Sequence, residues 1–140
     1  FELGSYAPAH QMQVSVRLLE LMATDPLAVA DRLRFGGAIL GWREMAKLIE
    51  SVSAGAQLTY DAMQAAESAI HRSVSPEAIE LLLARSPDAN VRRLAVAALT
   101  SAARPKEGWT MERRTRLEAY RQDSALVVRA AAHHVFPTEL

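Results

Sequence analysis

Apolar and polar residues succeed one another along this chain with the three-and-four spacing of a helix. Trp42, Met45, Leu48 and Ile49 recur at core-like helical intervals, and Val91, Ala95 and Leu99 do the same. β-branched residues nowhere run long enough, with a period of two, to suggest a strand. Ala, Leu, Arg, Glu and Met, all strong helix formers, dominate the chain. The pattern breaks at Pro8, Asp25-Pro26, Gly36-Gly37, Ala54-Gly55, Ser75-Pro76, Ser86-Pro87, Arg104-Pro105 and Pro137. Between these breaks it predicts helices over 8–23, 26–35, 38–53, 58–73, 76–84, 87–103, 110–121 and 124–135. Ser75-Pro76-Glu77 and Ser86-Pro87-Asp88 read as helix starts. The first turn needs no proline N–H, the preceding side chain can cap, and the acid lies at the positive end of the helix dipole. The expected fold class is all-α: stacked antiparallel helical hairpins joined by short turns. No Gly/Ser linker or low-complexity tract interrupts residues 1–140, so one domain is expected.

An internal repeat organises the C-terminal part. At an offset of 37 residues, with no gap, Ala78–Ala95 lies over Thr115–Ala132. Val91-Arg92 then meets Val128-Arg129, Ala95 meets Ala132, and Leu99 meets Phe136. A period near 40 with two helices per unit is the pattern of a helical solenoid, in which each pair buries its apolar face only by stacking on a neighbour.

A polar turn, then Val-Arg, then Ala and a large apolar residue, resembles the second helix of a HEAT repeat. Asp88-Ala-Asn-Val-Arg-Arg-Leu-Ala-Val-Ala-Ala-Leu99 is the better copy, and Ser124-Ala-Leu-Val-Val-Arg-Ala-Ala-Ala-His-His-Val135 is the second. The resemblance covers residues 75–137, as two HEAT-like units at 75–103 and 110–137. Met22–Leu33 is a weaker relative that lacks the Val-Arg pair, and residues 36–73 align with no repeat. Residues 1–73 are therefore expected to be an irregular helical part. The resemblance implies an α-α superhelix whose second helices line a concave, partner-binding face. It also implies a structural role for Arg92 and Arg129, pairing with acidic or carbonyl groups of the turns, with Asp88 and Asp123 as the nearest acids.

Composition narrows the function classes. The chain is half hydrophobic, and sixteen basic residues balance sixteen acidic ones. A protein that seeks polyanions usually carries a basic excess. Here residues 73–140 hold ten basic side chains against eight acidic, and residues 1–72 hold six against eight. The absence of cysteine excludes disulfides, thiolate metal sites and a cysteine nucleophile. The uncharged stretches Ser51–Tyr60 and Ala95–Ala103 fall well short of the roughly 18–20 residues of a membrane span. Nor does the start of the sequence read as a secretory signal. A bacterial, cytoplasmic setting is the expectation.

The candidate chemistry is sparse. His133-His134 is the one adjacent pair of classical ligands, but helix neighbours point about 100° apart and do not grip one metal. His10 and His71 stand alone, and Ser51, Ser53 and Ser101 have no recognisable base beside them. Gly36-Gly37 and Gly41 lack the strand and the Gly-Lys-Ser/Thr of a phosphate loop, and read instead as a helix–helix close contact. Glu112 and Glu118 alternate with arginines as a solvated helix face does. The local basic cluster is Arg104, Lys106, Arg113, Arg114, Arg116 and Arg121, with Trp109 among them. Trp109 either pins the 104–110 loop onto the preceding helix or stands out as a binding anchor. Trp42 reads as core.

The expectation is a non-enzymatic interaction or regulatory scaffold with no cofactor, metal site or membrane contact, and self-association is compatible with it. Its partner is a protein or peptide. Arg93, Val96, Ala97, Thr100, His133 and His134 would form the concave face, with Trp109, Arg113, Arg114 and Arg116 near its edge. The alternative is a nucleic-acid-binding helical-repeat protein resembling the alkylation-repair glycosylases. That requires an electropositive groove with an aromatic and a carboxylate at its floor.

Overall fold

The computed structural model describes residue 17 and residues 31–34, 41–53, 59–105 and 108–137. Within them lie six helices: α1 (Trp42–Ser53), α2 (Tyr60–Arg72), α3 (Pro76–Leu83), α4 (Ala89–Ala102), α5 (Met111–Arg121) and α6 (Leu126–His133). Arg17 and residues 31–34 are also helical, and no strand occurs among the described residues, so the fold is all-α. The remainder of the helices expected over 8–23 and 26–35, together with His10 and Gly36-Gly37, lies outside the described residues.

The helix boundaries follow from capping chemistry. Thr59 accepts the Ala62 N–H at 3.1 Å to open α2, and Thr110 accepts the Arg113 N–H at 3.3 Å to open α5. Pro76 opens α3 as predicted. The expected start of α4 at Pro87 moves to Ala89. Ser86 Oγ takes the Asp88 N–H at 3.1 Å, which turns the chain and leaves the Asp88 carboxylate to cap Asn90 N–H at 2.8 Å.

α4 is the central element. It packs against α3 as a hairpin, against α2 and α6, and more lightly against α1 and α5; α1 lies on α3, and α5 on α6. Val91, Leu94, Ala95, Ala98 and Leu99 of α4 are fully buried. Met45 and Ile49 are buried as expected, but Trp42 is half-buried and carries the Arg43 guanidinium 5.0 Å from its ring centre. It is a cation–π platform at the edge of the core rather than part of its centre. Gly41 meets nothing within 4 Å of a Cβ built on it, so the close contact expected there is not present. Gly108 does need to be glycine: a Cβ there would lie 2.2 Å from the Ala103 carbonyl oxygen. That approach lets Trp109, 6% exposed, pack onto the core just before α5.

The 37-residue correspondence is visible in three dimensions. α4 and α6 begin 37 residues apart, after Asp88 and Ala125. Val91, Val128, Ala95 and Ala132 are all fully buried. Arg92 donates to the Ser86 carbonyl at 3.1 Å and Arg129 to the Asp123 carbonyl at 2.8 Å, each six residues upstream. The turns match too, since Asp123 Oδ1 takes the Ala125 N–H at 2.8 Å as Ser86 Oγ takes that of Asp88. The equivalence ends past the last turn of α6, where Leu99 is fully buried and Phe136 is 80% exposed.

Candidate functional site

α2, α4 and α6 together form a groove with α4 as its floor. Val96, Ala97 and Thr100 line it from α4, Glu67 and His71 from α2, and Ala131, His134 and Val135 from α6 and its C-terminal end, around a cavity of about 300 Å³. A second cavity of about 340 Å³ continues the groove toward the start of α4, between Tyr60, Met63 and Gln64 on one side and Asn90 and Val127 on the other. Glu67 and Arg93 border both cavities and face each other at 3.8 Å, so an ion pair marks the middle of the groove. Thr100 directs its hydroxyl back to the Val96 carbonyl at 3.0 Å.

Of the six positions expected on the concave face, Arg93, Val96, Ala97, Thr100 and His134 border this groove. His133 does not; it is exposed at the last position of α6. Sequence reasoning missed the α2 wall, because residues 36–73 align with no repeat and so Glu67 and His71 had no counterpart to mark them.

Trp109, Arg113, Arg114 and Arg116, expected at the edge of the concave face, border neither cavity. Trp109 is core, and the Arg114 Nε donates to its carbonyl at 3.2 Å. Arg113 donates to Glu77 at 2.8 Å and to the Gly108 carbonyl at 2.7 Å. Arg116 bridges both acids of α3, donating to Glu77 at 2.6 Å and to Glu80 at 3.0 Å. Glu80 is completely buried and also accepts the Tyr120 hydroxyl at 2.7 Å. Burial, reinforced by the Glu80 charge, pushes the Tyr120 phenol well above its ordinary range. The hydrogen bond from Arg113 holds the Glu77 carboxyl below its usual value. Arg113 and Arg116 join α5 to α3 through these carboxylates.

Arg92 takes Asp123, one of the two acids expected for it, together with the Ser86 and Pro87 carbonyls of its own turn. Its guanidinium grips both oxygens of Asp123, at 3.0 and 3.1 Å, across the gap to the next hairpin, while the Asp88 side chain caps α4. The bond from Arg92 keeps Asp123 below the ordinary carboxylate range, and the same bond raises the arginine. Arg121 closes the last hairpin by donating to the Ala132 and Val135 carbonyls at 3.3 and 2.7 Å, satisfying the C-terminal end of α6.

His71 Nδ1 is hydrogen-bonded to Ser101 Oγ, a Ser–His contact that the sequence did not suggest. Its geometry suits a clamp between α2 and α4. Ser101 is buried in the last turn of α4 and does not border the groove. Desolvation of the ring, helped by Arg104 and opposed by Glu67, lowers the His71 pKa and favours the neutral imidazole. Among the described residues no three His, Asp or Glu side chains are placed to hold a metal ion. No described helix is long and apolar enough to cross a membrane. Compared with known protein families, curated proteins and solved structures, the chain matches none.

Proposed function

We propose that this chain is a non-enzymatic interaction module, built of HEAT-like helical units, that holds a protein or peptide segment in the α2/α4/α6 groove. The groove itself carries the reading. It joins an apolar floor of Val96, Ala97 and Thr100 to polar groups at fixed positions, the Glu67–Arg93 pair and the imidazoles of His71 and His134. Recognition surfaces have this composition: apolar area supplies affinity, and a few oriented polar groups select the partner. The engagement of Arg92, Arg113, Arg116 and Arg121 supports a protein or peptide over nucleic acid, because it leaves Arg93, itself paired with Glu67, as the groove's arginine. A cytoplasmic, bacterial setting is part of the same reading and rests on the cysteine-free composition.

The test is a displayed-peptide selection on the full chain, with Ala97→Arg as the counter-target. Ala97 is half-exposed on the groove floor, so an arginine there fills the groove and leaves the core intact. Selected peptides should bind the variant at least about tenfold more weakly, a loss of about 1.4 kcal/mol. Peptides that bind both forms equally would remove the groove from the proposal. Salt-steep binding of a labelled duplex or single strand, compared at about 50 and 200 mM salt, would replace the peptide with nucleic acid.

A further inference from the structure

A second surface lies outside the groove, on the outer side of α6. Leu126, Arg129, Ala130 and His133 share one stripe of that helix, and Phe136 follows just past its end. Leu126 is 71% exposed and Phe136 80%, and neither borders the groove. The opposite side of the helix, Val128 and Ala132, faces the core.

The 37-residue correspondence shows what such a stripe meets elsewhere in this molecule. The equivalent positions of α4 are Ala89, Arg92, Arg93 and Val96, followed by Leu99. There Leu99 is buried and Ala89 and Arg92 are partly covered, while Arg93, paired with Glu67, and the buried Val96 border the groove. The cover comes with a specific polar contact. Arg92 reaches past its own turn to the carboxylate of Asp123, which sits in the turn of the next hairpin, two residues before Ala125. Arg129 is held in the same way, donating to the carbonyl six residues upstream, and that is the hydrogen bond its side chain makes. The packing neighbours of α6 are α4 and α5. α6 therefore repeats the half of an interface whose other half, against α4, is a helical hairpin with an aspartate in its turn.

We infer that the outer face of the α5/α6 hairpin is a docking surface for a helical hairpin of a partner protein. The docked hairpin would place a turn carboxylate on Arg129 and apolar side chains on Leu126 and Phe136. The occupant is set by continuity with the α4/α6 interface: Arg129 is only partly covered, its charge acts on Asp123 of its own turn, and covering it further favours a second carboxylate opposite it. This surface is distinct from the groove and stands or falls independently of it.

The probe is the full chain carrying a second copy of its residues 105–137 after Pro137, which brings a hairpin with a turn aspartate to the face. The appended copy should add helix by circular dichroism and raise Tm by about 4 °C or more. Replacing its turn aspartate with Asn, or making Leu126→Asp or Arg129→Ala in the parent part, should remove most of that gain. The same two substitutions in the unextended chain report their own cost and separate a lost contact from a failure to fold. An appended copy that adds no helix, or a gain that survives Leu126→Asp and Arg129→Ala together, would overturn the inference. So would an unextended chain that sediments as a dimer and becomes monomeric with Leu126→Asp, which would assign the face to a second copy.

Discussion

α4 and α6 are built alike, whereas α3 and α5 are not. The first pair starts 37 residues apart, buries Val91 and Ala95 as it buries Val128 and Ala132, and hangs an arginine on the carbonyl six residues upstream in each case. The second pair differs in length, at 8 and 11 residues, and where α3 buries the carboxylate of Glu80, the position 37 residues on in α5 is the buried apolar Leu117. The partners explain the contrast. An arginine that binds backbone carbonyls needs only a turn of the right geometry, so it repeats wherever the turn does. The Glu80 site needs Arg116 and Tyr120 together on the facing helix, and their equivalents at α3 are Ile79 and Leu83.

The strongest way to break this comparison is to remove Glu80. Its carboxylate is completely buried, accepts from Arg116 and Tyr120, and is the point where α3 and α5 are tied. Glu80→Ala leaves the Tyr120 phenol without its acceptor and the Arg116 guanidinium with Glu77 alone, and should cost about 3 kcal/mol in urea unfolding, at the low end of what breaking a buried pair costs. Glu77→Ala removes a half-exposed partner of the same arginine and should cost less than about 1 kcal/mol. Equal losses would mean that apolar packing, and not this network, joins the two helices.

The same contrast explains how far the sequence could be read. Helix breaks and the 37-residue offset are local or repeated features, and periodicity and turn chemistry expose them; the structural role of Arg92 and Arg129 comes from the resemblance to a HEAT repeat. The true partner of Arg92 was not legible, because Asp88 and Asp123 are equally good acids in sequence and only packing brings Asp123 across from the next hairpin. Arg113 and Arg116 looked like a free basic cluster because their acids lie 36 residues away. At the groove, the α4 floor is expected from the resemblance together with the 37-residue correspondence. The α2 wall is not, since Glu67 and His71 sit in a stretch with no repeat to align.

A sharper test compares the two matched arginines directly. Arg92 makes four hydrogen bonds of about 3 Å, two of them to Asp123, and its side chain is largely covered. Arg129 makes one. Arg92→Ala should cost about 2 kcal/mol, and Arg129→Ala about 0.5–1 kcal/mol, measured on the unextended chain. In a double-mutant cycle, Arg92→Ala and Asp123→Ala should couple strongly, whereas Arg129→Ala and Asp123→Ala, linked through space by charge and not by a side-chain hydrogen bond, should couple less. If both arginines cost the same, the difference between a closed and an open contact at these equivalent positions carries no energy.

The smallest effects are in the pH dependence, and they separate the same regions by where they fall. Asp123 and Glu77 are held below their ordinary values of 3.8 and 4.5 by bonds from Arg92 and Arg113. A carboxylate with a depressed folded value binds its proton more readily in the unfolded chain. Its stabilisation is full above the unfolded value and is lost as pH falls through the folded one. Stability should therefore drop below about pH 4.5, in two parts, with Arg92→Ala flattening the Asp123 part and Glu77→Gln the other. His71 acts at higher pH. Its imidazole is shifted below the ordinary 6.5 by desolvation, so the unfolded chain takes up a proton first, and stability begins to fall as pH drops through 6.5, levelling off below the folded value. His71→Asn should remove this upper slope while leaving the acid limb unchanged. An upper slope that persists in the variant would show that the α2–α4 clamp at the groove wall does not titrate. A loss of both limbs would show that the clamp and the α3–α5 network open together.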